Sequence, residues 1–268
     1  MKLIHLTDTH FGLNDQKIYG RVPKHAFDAA ITDVNQYHSD ADCVIITGDL
    51  AHWGEKEAYI SLKESLEKLQ LPYHLVIGNH DDRDTLREIF PELPLNEDGF
   101  VQYTFEQGGN VFIVMDSVQQ GTHAGEFCEK RLQWLDSALD KADKPVFLLM
   151  HHAPFAVGIP SMDVIGFSEG NKQAIAKMLK RHDKVKHLFF GHYHRPINGT
   201  WQGIGFSTLK SMNHQVALDM HTTDVINASF ESPTYNVVLI DNELVIVHTR
   251  DFTDTTDTFS LGGPFDDE

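Results

Sequence analysis

The sequence predicts a layered α/β domain, on two observations: short apolar runs recur along the chain, and amphipathic stretches alternate with them. The runs cover residues 3–7, 43–47, 74–77, 111–116, 146–150 and 187–190. Their hydrophobicity is nearly continuous, as in strands covered on both faces. Between them, Phe27, Ala30, Ile31 and Val34 form one helical stripe, and Tyr59, Leu62, Leu66 and Leu69 form a second. Leu132, Leu135 and Leu139 mark a third helix, and Ile175, Met178 and Leu179 a fourth. Alternation of this kind stacks helices on sheets and gathers the functional loops at the strand C-termini. Residues 100–105 and 111–115, joined across Gln107-Gly108-Gly109-Asn110, read as a hairpin, so parallel and antiparallel pairing are mixed.

The pattern changes after Arg195. From there to Ser232 the strands are short, glycine and polar residues increase, and no long helical period is visible. Residues 195–234 are therefore expected to form an insertion near the site, acting as a cap or an oligomer contact. Regular strand returns at 235–240 and 244–249 across Asp241-Asn242-Glu243. The expected division is a main domain of residues 1–194 plus 235–258, the insertion, and a solvated acidic tail at 259–268.

A chain of 268 residues with 41% hydrophobic content can build one large domain with a real core. No apolar run approaches the roughly 20 residues that span a bilayer. The start, Met1-Lys2-Leu3-Ile4-His5, reads directly into a strand, so a cytoplasmic protein without membrane contact is expected. Lys plus Arg number 22 against 39 Asp plus Glu, a formal charge of −17. That balance argues against a nucleic-acid polymer as partner, because such binding neutralises phosphates with cationic side chains. A small anion remains compatible if bound metal makes the pocket locally positive. Cys43 and Cys128 form neither a disulfide framework nor a metal-type spacing, and Cys43 lies in an apolar run.

Candidate chemistry sits in short islands, each following an apolar run: Asp8-Thr9-His10, Gly48-Asp49, Gly78-Asn79-His80-Asp81, His151-His152 and Gly191-His192-Tyr193-His194. Together they offer only carboxylate, amide oxygen and imidazole donors, the set that holds divalent metals. If the strand continues through Asp8-Thr9-His10, alternation turns Asp8 and His10 to one side, and the same logic pairs His192 with His194. A carboxylate at Asp49 can bridge two ions. Asn79 supplies a neutral oxygen, and His80 beside it can protonate or stabilise a leaving oxygen without ligating. Asp81 can orient a histidine or cap the following helix; the sequence leaves both open. Of His151 and His152, neighbours on a strand, only one can face an ion. His5 and His74 lie within apolar runs and read as core residues. In the insertion, Asn213, His214 and His221 are the polar residues to watch for substrate contact, His221 reading equally as a surface residue.

In these motifs the sequence resembles the calcineurin-like metallophosphoesterase superfamily, whose pattern is D-x-H, GD, GNH[DE], a His after a strand, and GHxH. Asp8/His10, Gly48/Asp49, Gly78–Asp81, His151 and Gly191–His194 fill it, over the chain to about residue 195. Within the superfamily it is similar to class III cyclic-nucleotide phosphodiesterases and bacterial glycerophosphodiesterases. The supporting segments are Gly125-Glu126-Phe127, Gln133-Trp134-Leu135, Met150-His151-His152-Ala153-Pro154 and Met162-Asp163. The family form has Pro where this chain has Ala153. The resemblance implies a β-sandwich core flanked by helices, in an α-β-β-α order, with a smaller cap-like insertion. It implies two divalent ions (Fe, Mn, Co or Zn), one held by Asp8, His10, Asp49 and His194. Asp49, Asn79, His151 and His192 would hold the other, with Asp49, Asn79 and His80 serving catalysis.

The expected function is hydrolysis of a small phosphodiester, with 3′,5′-cAMP ahead of a glycerophosphodiester or a 2′,3′-cyclic nucleotide. A metal-dead binding scaffold is the alternative of a different class, and it should have lost ligands; none is missing here. Assembly into a homo-oligomer is expected only from the resemblance.

Overall fold

The computed structural model describes residues 1–260 and 262, apart from Asn14 and Asn242. Most of the predicted acidic tail lies outside the described residues. In chain order the elements begin β1 (Lys2–Leu6), α1 (Pro23–Tyr37), β2 (Cys43–Thr47), α2 (Lys56–Leu66), β3 (Tyr73–Val76) and α3 (Arg83–Ile89). The middle holds β4 (Tyr103–Gln107), β5 (Asn110–Val114), α4 (Glu129–Lys141), β6 (Val146–Leu149), α5 (Pro160–Asp163), α6 (Glu169–Leu179) and β7 (Val185–Phe189). The last part holds β8 (Ile197–Trp201), β9 (Ile204–Thr208), β10 (Gln215–Val216), β11 (Ala228–Ser229), β12 (Tyr235–Ile240) and β13 (Val245–Arg250).

Two sheets carry the fold. One has the order β13-β12-β1-β2-β3, with β1, β2 and β3 parallel and β12 and β13 antiparallel. The other runs β4-β5-β6-β7-β9-β8, parallel in its centre and antiparallel at both edges. Alternation along β5 shows how the sheets pack. Phe112 and Val114 join a core with the first sheet and its helices, whereas Val111 and Ile113 join a second core with Leu135 and Leu139 of α4 and Ile175 of α6. The middle layer is a ladder of rings, Phe105, Phe112, Phe147 and Phe189, whose successive centroids are 4.9, 5.1 and 6.3 Å apart. His5 meets Phe189 edge-on and His74 stacks on Phe105, so both histidines face this layer. The architecture is α-β-β-α, as expected, and all four helical stripes face the cores.

One boundary differs from the sequence reading. Residues 197–208 are not part of an insertion: β8 and β9 complete the second sheet. As the outermost strand, β8 leaves Asn198, Gly199 and Thr200 exposed, so it lacks the apolar alternation that marks a strand in sequence. The irregular segment starts at Leu209 and contains the small β10-β11 ladder. It is tied to the main body: Asn213 Nδ2 donates to the Ile18 carbonyl (3.1 Å), and Arg195 donates to the Val216 carbonyl (2.7 Å).

Candidate dinuclear metal centre

Every island lies just past a strand. Asp8 follows β1, Asp49 follows β2, Asn79 and His80 follow β3, His151 follows β6, and His192 and His194 follow β7. The tips of five parallel strands from two sheets converge, and their loops form one buried cluster.

The D-x-H and H-x-H pairs come together by a different route from strand alternation. The strands end before them, and Asp8 (φ 50°), His10 (φ 47°), His192 (φ 70°) and His194 (φ 48°) all adopt left-handed backbone, as does Asp49 (φ 49°). Short polar residues tolerate this region best, but each still costs on the order of 1 kcal/mol or more. Concentration of such residues in one cluster marks a functional centre. Gly48 is required for close approach: it has φ 93°, and a Cβ there would lie 2.5 Å from His151 Nδ1.

Asp49 stands between two sets of donors. Its Oδ2 lies 3.7 Å from His10 Nε2, and its Oδ1 lies 3.3 Å from His151 Nε2. On the first side, His10 Nε2 and His194 Nε2 are 3.1 Å apart, and His194 Nε2 is 3.2 Å from Asp8 Oδ1. The ligating atoms of Asp8, His10, Asp49 and His194 all lie within 4.8 Å of one another. On the second side, Asn79 Oδ1 is 3.1 Å from His151 Nε2 and 3.0 Å from His192 Nδ1.

Hydrogen bonding outside the cluster fixes which nitrogen faces inward. His194 Nδ1 meets the His214 carbonyl and His151 Nδ1 meets the Thr47 carbonyl, both at 2.8 Å. A carbonyl only accepts, so each Nδ1 carries the hydrogen and each Nε2 presents a lone pair to the centre. Burial opposes charge on His151, yet the Asp49 carboxylate outweighs it and pushes the imidazole up to about 9. The Asp49 field that favours positive charge on His151 equally favours a cation, and with a cation there the His151 Nε2 is free to serve as a ligand. The donor set therefore fits two divalent ions sharing Asp49.

Two other histidine groupings are tied together by hydrogen bonds. His152 is used on both sides, by Ser117 Oγ at Nδ1 (2.8 Å) and by the His123 carbonyl at Nε2 (3.1 Å). Burial, reinforced by His151, pushes it down to about 3, so it is neutral. Near His10, the His10 and His52 Nδ1 atoms pair at 3.1 Å, and His80 Nδ1 donates to the His52 carbonyl (2.6 Å). His80 is anchored further by its backbone N–H on Asp49 Oδ1 (2.9 Å). Its Nε2 is left as the ring's free proton site beside the centre.

Asp81 takes neither role considered for it. It accepts from the backbone N–H groups of Leu50, Ala51 and Gly78 and from the Tyr59 hydroxyl, which locks the 78–81 loop to the loop after β2. The cap of α3 is Asp82, which accepts from Thr85 N (2.9 Å). His52 and His123 were not singled out by sequence. His52 orients His10, and His123 Nδ1 accepts from Asn79 Nδ2 (2.9 Å), which turns the amide oxygen toward the second set. In the 209–234 segment, His214 lies 4.6 Å from the His194 ring and 4.7 Å from Tyr19, whereas His221 is exposed and does not line the cavity. The cavity above the centre, about 280 Å³, has a histidine floor and an apolar wall of Met162, Ile165, Val216, Ile226 and Ala228.

A family model described as calcineurin-like phosphoesterase matches residues 1–196. The chain belongs to this family. A relative from Rhodopseudomonas palustris, named a probable cyclic nucleotide phosphodiesterase, is 38% identical over 97% of this chain and 96% of its own. Another from Arcobacter nitrofigilis, named a probable glycerophosphodiester phosphodiesterase, is 32% identical over 87% and 86% of the two chains. Among solved structures, a dimetal phosphatase from Danio rerio superposes with a TM-score of 0.71 at 15% identity, covering 94% of this chain and 96% of its own. That likeness is one of fold. No helix among the described residues is long and apolar enough to cross a membrane.

Proposed function

We propose that this protein hydrolyses a small phosphodiester at the dinuclear centre, with 3′,5′-cyclic AMP as the first substrate to test. The observation that carries this reading is the pair of donor sets that meet at Asp49, with His80 held beside them by the Asp49 carboxylate and the His52 carbonyl. In this reading Asp8, His10, Asp49 and His194 hold one ion, and Asp49, Asn79, His151 and His192 hold the other. When bound, the ions supply Lewis-acid polarisation of the phosphoryl group and activation of water. Their mixed oxygen and nitrogen donors suit Fe, Mn, Co or Zn, which elemental analysis distinguishes.

The chain's own groups do the rest. Water adds to phosphorus and gives up a proton, the bond from phosphorus to the 3′ oxygen breaks, and a His80 imidazolium delivers its Nε2 proton to that oxygen, giving 5′-AMP; the proton lost by water restores the imidazolium through solvent. His52 holds His80 through its carbonyl so that the proton points into the cavity. The apolar wall supports a nucleoside over a glycerol group, because a base and ribose bury more apolar surface there. The naming of the Rhodopseudomonas palustris relative supports the same choice. Residues 209–234 act as the cap, bringing Val216, Ile226 and His214 over the centre. Exposed Leu218, Met220 and Val225 on this segment support contact between copies of the chain, which size-exclusion chromatography tests. Two unpaired cysteines support a cytoplasmic setting.

The glycerophosphodiester alternative is favoured by the naming of the Arcobacter nitrofigilis relative. Side-by-side kcat/KM values for 3′,5′-cAMP, 2′,3′-cAMP, glycerophosphoethanolamine and p-nitrophenyl phosphate decide between them. Preference for 3′,5′-cAMP supports the proposal; preference for glycerophosphoethanolamine replaces the substrate and keeps the centre. Absence of turnover on all four, with metal bound, overturns the enzyme reading.

A further inference from the structure

A line of buried side chains runs from the inter-sheet core to Asp8. Thr7 Oγ1 donates to Asp8 Oδ2 (2.7 Å), Thr47 Oγ1 donates to Thr7 Oγ1 (2.8 Å), and His5 Nε2 contacts Thr47 Oγ1 (2.9 Å). All four residues are fully buried. The direction of every hydrogen follows from chemistry. A carboxylate only accepts, so Thr7 spends its one hydroxyl hydrogen on Asp8 and must accept from Thr47. Thr47 in turn must accept, and the donor is His5 Nε2–H. His5 Nδ1 has no partner, as befits a bare lone pair in that tautomer. Burial, with the His187 neighbour, keeps His5 neutral by pushing it down to about 3.

Thr47 also reaches the other side of the centre. Its carbonyl accepts from His151 Nδ1 (2.8 Å), so the two oxygens of one residue lead to a candidate ligand of each set, the carbonyl directly and the hydroxyl through Thr7.

We propose that Thr47 is a positioning residue for the metal centre, and that the directed line His5–Thr47–Thr7 holds Asp8 ready for the first ion. Thr7 fixes Oδ2 and the His192 backbone N–H is shared between both oxygens (3.1 and 3.2 Å), so the carboxylate is held with Oδ1 turned to the His194 side, 3.2 Å from its Nε2. Removal of a group that touches a ligand directly, as Thr7 does, typically costs about 10–100-fold in metal affinity, and Thr47 acts on the ligand through it. The side-chain and carbonyl roles separate cleanly. Thr47→Val keeps the β-branched shape and the carbonyl, but deletes the hydroxyl.

Calorimetric titration of chelator-stripped protein with Mn²⁺ tests this, with thermal unfolding of the metal-free protein alongside. For Thr47→Val the expected result is about 10-fold weaker binding of one ion, the lower end of that range because Thr7 stands between, with the other ion unchanged. Thr47→Ser, which restores the hydroxyl, should return wild-type binding. At the far end, His5→Gln, which keeps an N–H donor, should bind more tightly than His5→Phe. Wild-type Mn²⁺ affinity in Thr47→Val, whatever its melting temperature, overturns the proposal, as does equal weakening of both ions. The inference rests on the dinuclear reading, and the two fail differently. Absence of Mn²⁺ binding by the unmodified protein refutes the centre itself, whereas normal binding in all four variants refutes only the line to Asp8.

Discussion

Replacing Gly78 by alanine should damage the centre more than any surface change of equal size. A Cβ on Gly78 would lie 2.2 Å from both the backbone nitrogen and Oδ1 of Asp49, and 3.0 Å from its Cα. Carbon needs more than 3 Å from such atoms, so either the turn or the Asp49 carboxylate must move by about 1 Å. The Asp49 backbone has little freedom, because β2 lies between β1 and β3 in the sheet. Overpacking of this kind costs about 1–3 kcal/mol. At roughly 2–4 °C per kcal/mol for a chain of this size, the melting temperature should fall by about 2–12 °C. A displacement of about 1 Å in a reacting group costs on the order of 100-fold in turnover, so the fraction that remains folded should be nearly inactive. Gly170→Ala is the control. It lies in α6 with its closest neighbour, Ser168 Oγ, 4.0 Å from the added carbon. Its melting temperature should hold or rise slightly, with unchanged turnover. The assay is thermal unfolding by circular dichroism, followed by hydrolysis of bis(p-nitrophenyl) phosphate at 25 °C. Wild-type stability and turnover in Gly78→Ala would refute the close approach of the 78–81 loop to Asp49.

Three other perturbations probe separate parts of the account. Asp49→Ala should lose turnover and both ions together by elemental analysis; a variant that keeps both ions refutes the bridge. His80→Ala should keep its ions and lose about 10²–10⁴-fold in turnover on an alkyl diester, but less on p-nitrophenyl esters, whose leaving group needs no proton. Ion loss in that variant would make His80 a ligand. Arg83 holds the fully buried Asp116 by two contacts of 2.7 Å, while Arg131 and the Val101 and Val118 N–H groups also face that carboxylate, so Arg83→Met should cost about 1.5–3 kcal/mol by chemical denaturation; no measurable cost contradicts that pairing.

Much of this fold is written locally. A strand buried on both faces must be apolar throughout, so β1, β2, β5, β6 and β7 stand out, and the polar residue that ends each run is conspicuous. That is why the candidate ligands could be read from islands alone. Two-residue spacing predicts the Asp8–His10 pairing through strand alternation, whereas left-handed backbone is what joins them. Single φ values leave no trace in a two-residue spacing. Asp81 escaped because its partners, Leu50, Ala51 and Tyr59, come from other segments of the chain. His52 and His123 escaped because lone loop histidines have no period; they reach the centre only when the 117–125 loop closes on Phe167 and the loop after β2 closes on Phe11. Edge strand β8 was missed for the opposite reason, since solvent on one side removes the apolar demand.

The most direct test of the central claim is a Mn²⁺ titration of chelator-stripped protein, counting ions bound per chain against the rate of 3′,5′-cAMP hydrolysis. The two donor sets sharing Asp49 predict no turnover without metal and full turnover only at two ions per chain. Full turnover in the stripped protein, or saturation at a single ion, would contradict the account.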